Sequence, residues 1–348
     1  CINIFMRLDD FDFQLPPEQI AQSPLASRSA SRMLVVDRRT GEFQDAKFTG
    51  LVGQLGPEDV LVLNNTKVFP ARLLGKLETG AAIEILLIEE VEPRVWEAVA
   101  RPGKRLAPGK RVNFDERMSA VVLEKLESGR VRFRFETDGD LDREIDRLGR
   151  TPLPPYITPK EEKREYDRER YQTVFAAERG AIAAPTAGLH FTDEILGRMR
   201  ENGTEIIELT LHVGYGTFEP VRVEELSEHR VLPERFSISN DSAARLNSAL
   251  DTGKRIVAVG TTTTRALESA IRRTGRFSAG ASLADLTITP GYEFKAVSAL
   301  ITNFHLPKSS LLILVSTFGG HELIMRAYRH AVREGYRFYS YGDCMFVK

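Results

Sequence analysis

Ile256-Val257-Ala258-Val259-Gly260-Thr261-Thr262-Thr263-Thr264-Arg265-Ala266-Leu267-Glu268-Ser269-Ala270 is the stretch that decides the fold class. Ile256 to Val259 is a short apolar run and predicts a buried strand; Gly260 breaks it, and Thr264 to Arg273 has helical apolar spacing. A buried strand feeding a helix is the unit of an α/β sheet. The same alternation continues outward. Ser298 to Thr302 predicts a strand, with helices from Ser309 and from Glu322 to Glu334 beyond it. On the N-terminal side, a helix from Ser242 to Leu250, a strand from Glu205 to Val213, a helix from Thr192 to Glu201 stopped by Gly203, and a strand from Ala181 to Ala184 are expected. Residues 160 to 170 alternate five basic with five acidic side chains, the pattern of a solvated helix face. Near the start, a Pro-led helix around Pro16 to Ala21 precedes a hairpin from Met33 through Arg38-Arg39-Thr40-Gly41 to Phe43. A strand from Val60 to Leu63 then ends in Asn64-Asn65-Thr66. Between these halves, Ala82 to Ile88, Val95 to Ala100, Val112 to Phe114, Ala120 to Leu123 and Val131 to Phe135 are short β-rich runs punctuated by Gly and Pro. The expected architecture is a discontinuous α/β domain (6–70 and 151–348) interrupted by a small all-β, barrel-like insert at 71–150.

The 348 residues suggest about two domains, and 42% hydrophobic content suffices for sizeable cores. Charge nearly cancels, 48 Lys plus Arg against 49 Asp plus Glu, so an anionic partner must be gripped locally. Apolar runs such as Leu311 to Val315 fall far short of the ~18 residues of a membrane span, and no signal-peptide pattern precedes them. A cytoplasmic, membrane-free protein starting naturally at Met6 is expected, with residues 1–5 left out of the fold reading. Cys344 is then the one remaining cysteine, which excludes a disulfide framework and a CxxC metal knuckle. No sequence feature speaks to oligomeric state.

In open α/β sheets, ligands bind where strand ends meet helix N-termini. Four expected strands end in loops rich in polar residues, glycine or histidine: Pro185 to Thr192 with Thr186 and His190, His212 to Phe218 with Gly214 and Gly216, Gly260 to Arg265 with its four threonines, and Asn303 to Ser310 with His305 and Lys308. Their convergence predicts one crevice. The threonine run also reads as an elaborate helix cap. It lacks the lysine of a phosphate loop, and Gly214 and Gly216 lack the third glycine of a dinucleotide fingerprint, so a nucleoside or amino-acid ligand fits better than a triphosphate. His190, His212 and His305 each read either as site residues or as buried structural histidines. None is spaced as a zinc ligand, and no metal is expected.

Several stretches together resemble one family: VLNNTKVFPARL from Val62, GRTPLPPYI from Gly149, RYQTVFA from Arg170, GAIAAPTAGLHFT from Gly180, LHVGYGTFEPV from Leu211, VGTTTTRALESA from Val259, PGYEFKAVSALITNFHLPKSSLLILVS from Pro290 and YRFYSYGDCMFV from Tyr336. They resemble the S-adenosylmethionine:tRNA ribosyltransferase-isomerases of queuosine biosynthesis, in order from Met6 to Lys348. Departures are Leu232 where a histidine is expected, Cys344 for alanine and Ser298 for aspartate, while Glu234 remains. The resemblance implies that the ribosyl portion of S-adenosylmethionine moves to the aminomethyl group of 7-aminomethyl-7-deazaguanine in a tRNA anticodon. Adenine and methionine leave, and epoxyqueuosine-tRNA forms. S-adenosylmethionine is then the co-substrate, with no further cofactor. Such chemistry needs a base beside the sulfonium, a donor for departing adenine and π or anionic surroundings for the sulfur. The expected catalytic residues are His190, His212, His305 and Asp343, with Glu219 also offered by the sequence. Asn64, Asn65, Thr66, Arg72, Thr186, Gly214, Gly216, Thr261, Thr262, Thr263, Arg265, Asn303 and Lys308 are expected to bind substrate.

For tRNA, two basic surfaces are expected. Residues 94–134 hold eleven Lys plus Arg, including Lys104, Arg105, Lys110 and Arg111, against five Asp plus Glu. On the last helix Arg326, Arg329 and Arg333 share one face opposite Leu323, Ile324, Ala327, Tyr328 and Ala331. Both also read as solvated faces. Two competing classes remain, a nucleoside-binding metabolic α/β enzyme without an RNA substrate and an RNA-binding module without catalysis.

Overall fold

The computed structural model describes residues 6–158, 161–218 and 221–348; Glu219, offered above for catalysis, lies outside them. Four strands come first: β1 (Arg32–Asp37), β2 (Glu42–Lys47), β3 (Asp59–Asn64) and β4 (Thr66–Val68). Six more follow in close succession: β5 (Arg72–Leu77), β6 (Ala82–Glu92), β7 (Val95–Arg101), β8 (Arg111–Asn113), β9 (Met118–Lys125) and β10 (Val131–Thr137), then the helices α1 (Leu141–Leu148) and α2 (Arg164–Arg170). The remainder alternates: β11 (Glu178–Ala181), α3 (Asp193–Glu201), β12 (Glu205–Leu211), β13 (Glu234–Ile238), α4 (Asn240–Asp251), β14 (Arg255–Val259), α5 (Thr261–Ile271), β15 (Gly280–Ala284), β16 (Ala299–Asn303), α6 (Ser310–Gly319), α7 (His321–Arg333) and β17 (Cys344–Val347).

Nine strands form the main sheet in the order β15-β13-β12-β3-β14-β16-β17-β1-β2. Its centre, β12-β3-β14-β16, is parallel, so those four strands end on one side. Alternate residues of a strand point to opposite faces, and here both faces are buried. Val60, Val62, Ile256 and Ala258 pack with Leu246, Leu267, Ile313 and Ile324 of α4 to α7, whereas Leu61, Leu63, Val257 and Val259 pack with Phe48, Leu51 and the α3 residues Ile195 and Met199. This double burial is why the sequence shows continuous apolar runs rather than alternation. Among the described residues no helix is long and apolar enough to cross a membrane.

The β-rich runs close into a six-stranded antiparallel barrel, β10-β7-β6-β5-β8-β9, around Leu73, Ile85, Ala98, Val122, Phe133 and other inward-facing apolar side chains. The chain enters and leaves side by side. Arg72 N–H donates to the Arg150 carbonyl at 3.2 Å, and the Arg72 carbonyl accepts from Arg150 N–H at 2.8 Å. Gly149 permits this, since a Cβ there would lie 2.0 Å from the Pro70 carbonyl oxygen.

The structure corrects several expected elements. The strand placed at Ala181–Ala184 is β11, three residues earlier, and it pairs only with β4 in a separate two-stranded sheet. The Pro-led helix shrinks to the single 3-10 turn Pro17–Gln19. α5 starts at Thr261, not Thr264, so the threonines lie inside the helix rather than forming an elaborate cap.

Candidate active site

The parallel strands deliver Val213, Gly260 and Asn303 to one end of the sheet, where a crevice of two joined chambers opens. The inner chamber, about 560 Å³ out to its mouth, is lined by Thr186, Thr261, Thr262, Asn303, His305 and Tyr339 among others. The outer one, about 1030 Å³, is lined by His229, Glu234, Arg265, Ile288, Lys308 and Ser310; Thr261, Thr262, Leu311 and Tyr339 belong to both. Gly216, Leu232 and Glu234 also border a wide groove toward the barrel, walled by Trp96, Arg179, His212 and Tyr215.

Gly260 turns β14 into α5 with φ +94°, a conformation glycine adopts without strain, and offers no side-chain cap. The first-turn N–H groups of α5 therefore face the crevice without a capping side chain. Thr263 and Thr264 turn inward, their hydroxyls donating to the carbonyls of Val259 at 2.6 Å and Gly260 at 3.1 Å. Only Thr261 and Thr262 of the run line the crevice, and Thr263 is removed from the expected ligand contacts.

The three expected histidines do not share a pocket. His305 lines the inner chamber, its Nε2 2.8 Å from Thr302 Oγ1 and its backbone N–H donating to the Tyr328 hydroxyl at 3.0 Å. Burial drops its pKa to about 3, so the ring is neutral at physiological pH. His190 sits behind that wall. Asn303 spends its amide N–H groups on the Tyr339 and Ser340 carbonyls, at 2.9 and 3.3 Å, so its Oδ1 accepts from His190 Nε2 at 3.1 Å. His190 Nδ1 then accepts from the Ser31 hydroxyl at 2.8 Å, and both ring nitrogens are used in holding Asn303. His212 lies in the barrel-side groove, paired with Thr66 Oγ1 at 2.8 Å.

His190 is fully enclosed, and burial lowers its pKa to about 4. A histidine depressed in the folded state contributes stability present above the unfolded value of about 6.5 and lost as pH falls toward the folded one. Between pH 7 and 5, the stability difference between wild type and His190→Gln is expected to shift against wild type by about 2 kcal/mol. Urea unfolding of both proteins at the two pH values measures it; a constant difference would mean a histidine that titrates normally.

Other expected site residues also make contacts that hold the fold together. Asp343 accepts from the backbone N–H groups of Arg32 at 2.8 Å and Arg337 at 2.9 Å, tying β1 to the turn before β17, and burial pushes its carboxyl up. Asn64 pairs with both backbone groups of Leu211, at 2.9 Å each; Asn65 holds Glu208 and Thr210 on the next strand. Arg72 donates to the Leu153 carbonyl at 3.1 Å and faces Glu84. Gly214 borders the barrel-side groove and donates to Glu234 Oε1 at 2.9 Å. Arg265 is bound to Glu234 at 2.5 Å, with both side chains over nine-tenths buried. Lys308 lines the outer chamber while bridging Asp9 at 2.8 Å and Asp12 at 3.0 Å.

Sequence reasoning missed the aromatic wall. Tyr171 and Tyr339 line the inner chamber, and Tyr339 carries φ +73°, uncommon for a non-glycine residue, held by Asn303 beneath its carbonyl. Its ring meets Tyr156 at 4.2 Å between centroids. The Tyr-Gly-rich run 339–342 was the available signal. His229, assigned no role above, presents itself in the outer chamber with Nε2 2.8 Å from Ser310 Oγ.

The basic character of the insert depends on the window. Over 71–150 there are sixteen Lys plus Arg and sixteen Asp plus Glu. Arg111 is paired with Glu136, and Arg132 with Glu97 and Glu124. The exposed 101–110 loop carries Arg101, Lys104, Arg105 and Lys110 and no acidic residue. On α7, Arg326, Arg329 and Arg333 are exposed, although Arg333 also contacts Glu334 and His330. Among the described residues, no cluster of three His, Cys, Asp or Glu is arranged to hold a metal ion.

The model of a family described as queuosine biosynthesis protein matches residues 8–347. The chain is 48% identical over 344 residues to the S-adenosylmethionine:tRNA ribosyltransferase-isomerase of Halothermothrix orenii, covering 98% of this chain and all of that protein. It is 49% identical over the same length, with the same coverage, to the protein of that name from Syntrophotalea carbinolica. The crystal structure of an S-adenosylmethionine tRNA ribosyltransferase from Thermotoga maritima, 37% identical, aligns with 97% of this chain and all of its own at a TM-score of 0.55. The stretches from Val62 to Tyr336 that carry the resemblance all fall inside the matched span, and the chain belongs to the queuosine biosynthesis protein family.

Proposed function

We propose that this protein transfers and isomerises the ribosyl portion of S-adenosylmethionine onto 7-aminomethyl-7-deazaguanine in tRNA, releasing adenine and methionine and leaving epoxyqueuosine-tRNA. The relatives' names supply the reaction class. The observation that carries it in this chain is a crevice with a neutral, hydroxyl- and amide-rich inner chamber that continues into a groove reaching the barrel. Thr186, Thr261, Thr262 and Asn303 suit a nucleoside, and the Tyr171 and Tyr339 rings suit a sulfonium through cation–π attraction. With its pKa near 3, His305 acts as a hydrogen-bonding group to the departing adenine rather than as the proton-removing base. His190 positions Asn303. S-adenosylmethionine is the one small co-substrate in this proposal. The split into a discontinuous α/β domain (6–70, 151–348) and an insert (71–150) belongs to it too, with the anticodon base entering through the groove between them.

Incubation of the protein with S-adenosylmethionine is expected to release adenine only when tRNA bearing the deazaguanine base is added. Release without RNA would favour a metabolic enzyme, and tRNA binding without release an RNA-binding module. His305→Ala is expected to cut the rate at least about tenfold, the loss of a hydrogen bond to a buried substrate group. For tRNA binding, Lys104→Glu with Arg105→Glu is expected to reduce the log–log salt slope by about one per lost phosphate contact. The triple change of Arg326, Arg329 and Arg333 to Glu tests the helix face in the same way, and whichever set leaves the slope unchanged is not a phosphate contact.

A further inference from the structure

The two chambers differ in what they can neutralise. The inner chamber presents no formal charge, since His305 is neutral and its other polar groups are hydroxyls and an amide. In the outer chamber Arg265 is neutralised by Glu234, and Lys308 is held by two carboxylates, Asp9 and Asp12, so these side chains offer an anion no net positive charge. Two helix N-termini remain, α5 at Thr261–Thr262 and α6 at Ser310–Leu311, both bordering the same space. Each carries a partial positive charge and first-turn N–H donors. Ser309 caps α6 by accepting from Leu312 N–H at 3.3 Å, and α5 has no side-chain cap. Two further groups face this chamber. Thr261 is 6% exposed and His229 8%; the Thr261 hydroxyl and His229 Nδ1 have no hydrogen-bond partner among the described residues. Burial keeps His229 low in pKa and therefore neutral, able to donate through Nδ1 while Nε2 accepts from Ser310. Ile288, Leu306 and Leu314 supply an apolar wall opposite.

We propose that the outer chamber is the subsite for the amino-acid end of S-adenosylmethionine, its α-carboxylate held where the N-termini of α5 and α6 converge on Thr261, Thr262 and Ser310, and its methylene chain lying along Ile288, Leu306 and Leu314. The adenosine end then occupies the inner chamber, and the sulfonium sits at the junction beside Tyr339, which borders both. This rests on the proposed use of S-adenosylmethionine. It orients that substrate with the amino acid toward Lys308 and the solvent-facing loop and the base toward His305 and Asn303. The carboxylate is the one anionic group of the ligand, and among the described residues the outer chamber is where the N-termini of both α5 and α6 border the same space. A decarboxylated tail, which keeps only the ammonium, would gain nothing from these helix ends.

Calorimetric titration with S-adenosylmethionine and with its decarboxylated analogue tests the subsite. Wild type is expected to favour the carboxylate-bearing ligand by about tenfold or more, the effect of an anion at partly buried helix ends. Thr262→Asp places a competing carboxylate at the second residue of α5, where an acidic side chain favours the helix, so the variant is expected to fold and melt at or above the wild-type temperature. It should lose at least about tenfold in affinity for S-adenosylmethionine and lose none for the decarboxylated analogue, whose ammonium the new carboxylate does not repel. Equal affinity of wild type for both ligands, or equal losses in the variant, would overturn the subsite while leaving S-adenosylmethionine as the ligand. If wild type binds neither, the reading of the function falls and the subsite with it. A Thr262→Asp chain that fails to fold transfers the decision to the wild-type ratio, which decides alone.

Discussion

Replacing Glu268 with alanine is expected to destabilise the protein by on the order of 4 kcal/mol and to lower its melting temperature by roughly 6 °C. Glu268 lies on the third turn of α5 and is fully buried, without a cationic partner among the described residues. Its two oxygens instead accept four hydrogen bonds. The Tyr292 hydroxyl and Lys295 N–H reach Oε2 at 2.8 and 2.9 Å; Ala296 and Val297 N–H reach Oε1 at 3.0 and 2.9 Å. Removing the carboxylate strands three backbone donors that cannot reorient, each costing about 1–3 kcal/mol if water does not replace the acceptor. The Tyr292 phenol, held protonated well above its ordinary pKa by burial and the adjacent carboxylate, also loses its acceptor. Glu268→Gln keeps one acceptor oxygen and turns an NH₂ toward donors, so it should fall between wild type and alanine. Equilibrium unfolding in urea gives the numbers; an alanine variant within about 1 kcal/mol of wild type would mean that water fills the nest. The 292–297 segment feeds β16, whose last residue is Asn303, so the same variant is expected to loosen the inner chamber wall.

The α/β character was legible because it is written locally. Ile256 to Val259 and Val60 to Leu63 are apolar on both faces and flanked by turn residues, a combination that follows from burial between two helical layers. The barrel announced itself through short β-rich runs between Gly and Pro turns, and Ile83, Ile85, Leu87, Val131, Phe133 and Phe135 of those runs fill its core. Strands β13, β15 and β17 escaped because each is four or five residues long and is defined by partners distant in sequence. β17 completes the middle of the sheet between β16 and β1, and no periodicity in Cys344 to Val347 states this. In β15, edge position leaves Leu283 52% exposed, which removes the apolar signal. The site divides in the same way. Thr261, Thr262, Asn303 and His305 were visible as strand-end loop residues, and they do meet. From sequence His212 reads as a crevice residue because its loop follows a central strand. One residue past β12, however, the chain turns toward the barrel, and the ring faces Thr66 and Gly180 instead. Strand-end position fixes the layer in which a residue lies, whereas the direction of the departing loop is set by tertiary contacts with no sequence periodicity.

Arg265 shows the largest gap between sequence role and structural role, and it sets the last expected result. As a basic residue in the first turns of a crevice helix it reads as an anion grip. In the fold its Nη1 meets Glu234 at 2.5 Å, while Nη2 donates to the carbonyls of Leu232 at 3.2 Å and Ala284 at 2.8 Å and Nε to that of Leu286 at 3.2 Å. Little of the guanidinium is left for a ligand. It fastens α5 to β13, to the end of β15 and to the segments that wall the outer chamber. Burial pushes the Glu234 carboxyl up, against the pull of Arg265 and the Gly214 N–H. Removing one partner leaves the other charge buried alone, so Arg265→Met and Glu234→Leu are each expected to cost about 3–5 kcal/mol. The pair replaced together should recover most of that, because the desolvation cost of both charges disappears as well; the double-mutant cycle should show coupling of about 2 kcal/mol or more. Arg265→Lys retains the charge and cannot span three carbonyls and a carboxylate, and it is expected to fall near the methionine variant rather than near wild type. S-adenosylmethionine affinity should follow stability in this series, since the outer chamber wall depends on the anchored strands. An Arg265→Met protein that unfolds like wild type yet no longer binds S-adenosylmethionine would instead return Arg265 to direct contact with the ligand.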